Sequence, residues 1–161
     1  MFNLKAEFYL KIIFLFSFIA LISAFFIEYV LGHQPCNLCL IERIPYGLSI
    51  MIIMSIFLIK KNQKFLVLLL ILTFNFALVI SFYHFGIEQG FFQEASVCGL
   101  KGLTETITKE DLLKQLSEKT ITCRDVTFRI FGLSLTSINI VISLLFIITL
   151  LKIFKEYEKN K

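Results

Sequence analysis

The chain has 161 residues, the length of one domain, and 16 basic against 12 acidic residues give it a net charge of +4. With 57% apolar and 17% charged residues and a mean hydropathy of +0.82, it is too hydrophobic for an ordinary soluble domain. The basic excess is gathered at the two ends and in one short turn, which excludes nucleic acid as a partner and points to a membrane.

Four apolar stretches approach or exceed the roughly 20 residues that a helix needs to cross a bilayer: Ile12–Leu31, Leu40–Ile59, Phe65–Phe85 and Phe131–Leu151. Spanning segments must satisfy their backbone groups internally, so each is expected to be a helix. The expected fold class is an all-α membrane protein. Its architecture is a four-helix transmembrane bundle, one domain over residues 1–161, with a long outer loop at 86–130 that contains a short amphipathic helix.

The first stretch is longer than the ~7–15 apolar residues of a secretory signal, and no clear small-x-small cleavage site follows it. It reads as a retained helix. Lys5 and Lys11 precede it, which places the N-terminus in the cytoplasm by the positive-inside rule.

At its far end stands "QPCNLCLIER", from Gln34 to Arg43. Cys36-x-x-Cys39 near a helix start is suited to thiol–disulfide exchange, because the ring is small and the helix N-terminus favours a thiolate. Alone, the motif is equally consistent with an inert disulfide. Arg43 follows Cys39 by one helical turn. At ~4 Å and an effective dielectric of ~20, such a charge pair is worth about 4 kcal/mol, enough to hold a thiolate where water barely reaches. The competing role for Arg43 is to snorkel to lipid phosphate. Pro45 removes a helical hydrogen bond, so the regular helix is expected to begin near Arg43, with the cysteines in a turn ahead of it.

The turn "KKNQK" after the second span, and Lys152, Lys155, Lys159 and Lys161 after the fourth, face the cytoplasm by the same rule. Both termini are then cytoplasmic. The third span carries Asn75 at mid-depth and the fourth carries Asn139; both are expected to bond across helices. Glu28, Glu42, Arg43 and His84 lie toward the outer ends, and the uncharged middles weigh against an ion path.

The outer loop holds four lysines and two arginines against seven acids, so it is nearly neutral. Within it "TKEDLLKQLSEK" reads as a helix, with Thr108 and Asp111 in a capping-box pattern and an apolar stripe of Leu112, Leu113 and Leu116. The loop also carries Cys98 and Cys123, with 24 residues between them. All four cysteines therefore lie on the oxidising side, where disulfides persist. The second pair reads either as a structural bridge or as a relay that takes electrons from a soluble dithiol and hands them to the membrane-rim pair. Four cysteines holding a metal in a structural membrane protein is the competing reading, although Cys98 and Cys123 lack zinc-ligand spacing.

The runs "PCNLCLIERIPYG", "YHFGIEQGFF" and "CRDVTFRIFGLSLTSIN" together resemble the DsbB disulfide-bond-formation family, and the match covers Gln34 to Asn139. Phe128 stands where members often carry tryptophan, and the chain has no tryptophan. The resemblance implies an inner-membrane quinone-dependent oxidoreductase that reoxidises a periplasmic DsbA-like thioredoxin-fold oxidase, with ubiquinone or menaquinone as cofactor. It implies that the partner attacks Cys98, that Cys123 then attacks Cys36, and that Cys39 is the thiolate meeting the quinone, stabilised by Arg43. It places His84 at a position associated with the quinone pocket, where the residues alone equally suit a histidine satisfied at the interface, and gives no role to Glu88 or Gln89. DsbI-like relatives serve one dedicated partner, and the residues do not separate the two cases.

Overall fold

The computed structural model describes residues 4–59, 62–93, 123, 129–130 and 133–159. The helix expected at 108–119, Cys98 and Phe128 lie outside the described residues. Four long helices dominate what is described: α1 (Leu4–Tyr29), α2 (Asn37–Ile59), α3 (Gln63–Glu88) and α4 (Leu135–Lys159). Each is long and apolar enough to span a bilayer.

α1 begins at Leu4, ahead of the apolar run at Ile12, because Lys5, Glu7 and Lys11 are ordinary helix residues that extend the span. Its end turns at Gly32, whose φ of +72° is one that side chains rarely adopt.

α2 corrects the expectation placed on Pro45. The helix starts at Asn37, and Pro45 lies buried inside it. Helix-interior proline is tolerated in membrane spans, where neighbouring groups re-satisfy the freed backbone. The cysteine pair consequently opens the helix instead of preceding it.

α4 starts at Leu135, not at Phe131. Arg129–Ile130 (β1) and Leu133–Ser134 (β2) pair as a small antiparallel hairpin, with Arg129 opposite Ser134 and Ile130 opposite Leu133. Ser134 then caps the helix, its Oγ accepting from the Ser137 N–H at 3.2 Å.

α3 lies between α2 and α4, α1 packs on α2, and α1 and α4 barely touch. The buried seam consists of Leu10, Ile13, Ile53, Ile56, Leu70, Phe74 and Leu150, each 0–1% exposed. Large apolar side chains such as Ile22, Met51, Val79 and Val141 face outward, as a hydrocarbon solvent permits. Asn75 departs from the expected role. Its amide donates to the Ile71 carbonyl of its own helix at 2.8 Å, so it satisfies itself locally.

This up-and-down order brings four helix ends together: the C-terminal turns of α1 and α3 and the N-terminal turns of α2 and α4. Apart from Cys123, the polar side chains of the site described next come from those ends. At the opposite end Lys64 Nζ sits 5.0 Å from the centroid of the Phe154 ring, tying the start of α3 to the end of α4.

Candidate functional site

Cys36 is the N-cap of α2. Its carbonyl accepts the Leu40 N–H at 3.2 Å, and its sulfur accepts the Cys39 N–H at 3.3 Å, where a capping hydroxyl would otherwise sit. The two sulfurs are 2.7 Å apart and both are free thiols. Because Cys36 lies just ahead of the spanning helix with donors converging on it, its thiol is drawn well below the usual cysteine range. The hydrogen bond from Cys39 is the main cause and His84 contributes, against burial, which acts the other way.

His84, 3% exposed, presents Nε2 to the Cys36 sulfur at 3.6 Å and Nδ1 to Glu42 Oε1 at 3.0 Å. A carboxylate only accepts, so Glu42 fixes Nδ1 as the protonated nitrogen and leaves Nε2 to exchange a proton with the thiol. Glu42 is itself held: Asn139 Nδ2 donates to its other oxygen at 3.2 Å and to Ser81 Oγ at 2.7 Å. Tyr46 donates its hydroxyl proton to Asn139 Oδ1. Asn139 thus bonds across helices as its sequence position implied. Thr136 donates to Glu88 Oε1 at 2.6 Å and stands 3.3 Å from His84 Nδ1. Glu88 Oε2 is buried and has no hydrogen-bond partner among the described residues.

Arg43 does not take the contact that spacing implied. Its guanidinium pairs with Glu28 of α1 and lies 5.3 Å from the centroid of the Phe25 ring. Even so, it shares one cavity with the thiols. Cys36, Cys39, Arg43, His84 and Cys123 all line a cleft of about 360 Å³ between α1 and α4, where the helix ring is thinnest. Its polar end carries the thiols, His84 and Glu88; its walls are apolar, with Phe16, Ile19, Ile27, Leu135, Ile138 and Ile142. A cavity of this size, mostly apolar with a few converging polar groups, has the usual form of a small-molecule site.

Cys123 is buried, disulfide-bonded, and part of one small cluster with Cys36, Leu38 and Ile87. A sulfur in a disulfide is no thiolate ligand, so the four-cysteine metal site does not form here. Cys36, Cys39 and His84 are the described residues whose donor atoms lie close enough together to hold a metal.

Glu42, Tyr46, Thr136 and Glu88 were not singled out from the sequence as site residues. The signal was present as spacing. Glu42, Tyr46 and Ser49 follow one face of α2; Ser81, His84 and Glu88 follow one face of α3; Thr136, Asn139 and Ser143 follow one face of α4. Three polar stripes at helical spacing inside apolar spans must face one another, because lipid offers them no partner.

A helical bundle in the membrane with a helix-capping dithiol at one end is the architecture of a membrane thiol–disulfide protein. The family comparison agrees. Residues 6–153 match the model of the disulfide bond formation protein DsbB, and the chain belongs to the DsbB family. It is therefore a multi-pass inner-membrane disulfide oxidoreductase. It is also similar to the uncharacterized protein RP370 of Rickettsia prowazekii (strain Madrid E), at 28% identity over 147 residues, which covers 90% of this chain and 86% of that one. No solved structure matches the chain.

Proposed function

We propose that the chain reoxidises a soluble, DsbA-like thioredoxin-fold dithiol oxidase on the outer side of the membrane and passes the two electrons to a membrane quinone. The observation that carries this reading is the burial of Cys123 in the same small cluster as Cys36, beside an apolar cleft that also holds Cys39. A sulfur relay needs its two couples adjacent, and a lipid-soluble acceptor needs an apolar site next to the second couple.

In this reading the resting protein holds Cys98–Cys123 and Cys36–Cys39 as disulfides. The partner's thiolate attacks Cys98, forming a mixed disulfide and releasing Cys123 as a thiolate. The partner's second thiol resolves that bond and leaves as its disulfide. Cys123 attacks Cys36, which forms Cys36–Cys123 and frees Cys39 as the thiolate facing the cleft. His84 Nε2, within 4.8 Å of both rim sulfurs, takes or returns the proton of the Cys39 thiol that the exchange frees, and Glu42 keeps the imidazole in the required tautomer. Arg43 supplies a fixed positive charge in the cleft, and Cys39, Arg43 and His84 would hold the quinone. Ubiquinone or menaquinone, when bound, supplies a two-electron, two-proton acceptor. Both termini lie in the cytoplasm and all four cysteines on the periplasmic side.

The test uses detergent-purified protein, a reduced thioredoxin-fold dithiol partner and a soluble quinone analogue, followed by quinone absorbance. Turnover that depends on the partner and on Cys39 is expected. Wild-type turnover by Cys39→Ala excludes the proposed electron path.

A further inference from the structure

The geometry points to a redox-gated zinc site at the membrane rim: the reduced thiols of Cys36 and Cys39, with His84 Nε2, bind one Zn²⁺, and Glu88 beside them moves in as the fourth ligand. The donor atoms of Cys36, Cys39 and His84 lie within 4.8 Å of one another. The Cys36 sulfur and His84 Nε2 are 3.6 Å apart, close to the separation of two ligands on one tetrahedral zinc, about 3.5 Å. The sulfurs, at 2.7 Å, must part by about 1 Å to share an ion.

Two further features mark a built site. Glu42 accepts from His84 Nδ1 at 3.0 Å, and this carboxylate–histidine pairing orients an imidazole for metal on its other nitrogen. Glu42 is anchored in turn by Asn139. The second feature is Glu88. Its side chain is 5% exposed and lines the cleft; Oε1, which accepts from Thr136, lies 3.9 Å from His84 Nε2, and Oε2 has no partner among the described residues. A buried carboxylate oxygen with no donor is costly, and a cation would satisfy it. Two sulfurs, one nitrogen and one oxygen are a set that zinc accepts.

Binding displaces two protons, one from each thiol, and moves no electrons. Oxidation of the pair to a disulfide removes both thiolates and with them the site. The site exists only in the reduced state, and a bound ion ties up the lone pairs that sulfur exchange requires. Zinc therefore holds the rim pair reduced and stops it. The inference stands whether or not quinone is the acceptor, since it concerns the thiols before oxidation.

The experiment is anaerobic equilibration of protein with Zn²⁺, followed by desalting and metal analysis. Wild type is measured beside a Cys98→Ala/Cys123→Ala double variant, in which only the rim pair supplies thiols. Expected are one zinc per reduced chain, none after oxidation of the rim pair, and protection of both rim thiols from alkylation. In the double variant, His84→Gln and Glu88→Gln each weaken zinc binding at least about tenfold, and Glu156→Gln leaves it unchanged. Co²⁺ in place of zinc shows the absorption of a tetrahedral thiolate site. No zinc on either reduced protein, equal zinc on the oxidised one, or an unchanged affinity in His84→Gln overturns the site; an unchanged affinity in Glu88→Gln removes the fourth ligand.

Discussion

Glu42 and His84, both buried, face each other at 3.0 Å across α2 and α3, and the histidine's other nitrogen faces the Cys36 sulfur. The pairing decides which imidazole nitrogen carries the proton, and so makes a carboxylate that touches no sulfur part of the thiol chemistry. Glu42→Gln leaves the ring free to take the other tautomer. Thiol exchange at Cys36 is expected to slow by roughly 10²-fold, the usual scale for losing a positioned acid–base group. The check is the rate at which the rim disulfide is reduced by a small dithiol, with native melting behaviour as the control.

Asn139 holds three partners from two other helices: Glu42, Ser81 and the Tyr46 hydroxyl. Asn139→Leu leaves a buried carboxylate oxygen and a buried phenol unpaired. A loss of about 2–4 kcal/mol is expected, read by denaturation in detergent. Ser81→Ala, which removes one acceptor and leaves the Glu42 and Tyr46 bonds in place, costs less.

Arg43 and Glu28 are 17% and 21% exposed, so their ion pair is largely out of water and removing one partner alone costs about 3 kcal/mol. A Glu28→Gln/Arg43→Met double variant is therefore expected to melt near wild type while its KM for a quinone analogue rises at least roughly tenfold, the scale of a charge-assisted hydrogen bond. If stability falls sharply and KM does not move, the guanidinium is a structural group and not part of the acceptor site.

Gly86 is where the chain after α3 folds back. A Cβ there would lie 2.1 Å from the Phe92 ring, which stacks on Tyr83 with centroids 5.7 Å apart. Phe92 can swing away, so Gly86→Ala is expected to lose the stack and about 1 kcal/mol without breaking the helix. A melting curve reads the loss, and Phe92→Ala should lower stability similarly, without adding to it in the double variant.

Much of this was readable from the residues. The apolar runs locate the spans because a bilayer demands length and hydrophobicity, and both are local properties of a sequence. The cysteine spacing marks the dithiol for the same reason. What was not readable depends on packing. Pro45 suggested a late helix start, because the rule for proline is calibrated on helices whose freed carbonyls face water. The residues before Leu135 are apolar enough to pass for a span, and only pairing between Arg129–Ile130 and Leu133–Ser134 shows them to be a hairpin. Arg43 looked like a partner for Cys39 because helical spacing covers neighbours on one helix, and Glu28 arrives from another. Glu42, Thr136 and Glu88 each resembled an ordinary interfacial residue until the stripes were seen to converge.

The central claim is that electrons cross from the Cys123 couple to Cys36 and leave through Cys39. Disulfide mapping by mass spectrometry of the fully oxidised protein, exposed without quinone to a reduced partner whose second thiol has been removed, tests it most directly. With the partner held on Cys98, the released Cys123 thiolate attacks the Cys36–Cys39 bond, so a Cys36–Cys123 bond with Cys39 free should appear in most molecules. A protein that carries the partner on Cys98 yet keeps Cys36–Cys39 intact and Cys123 free contradicts the account.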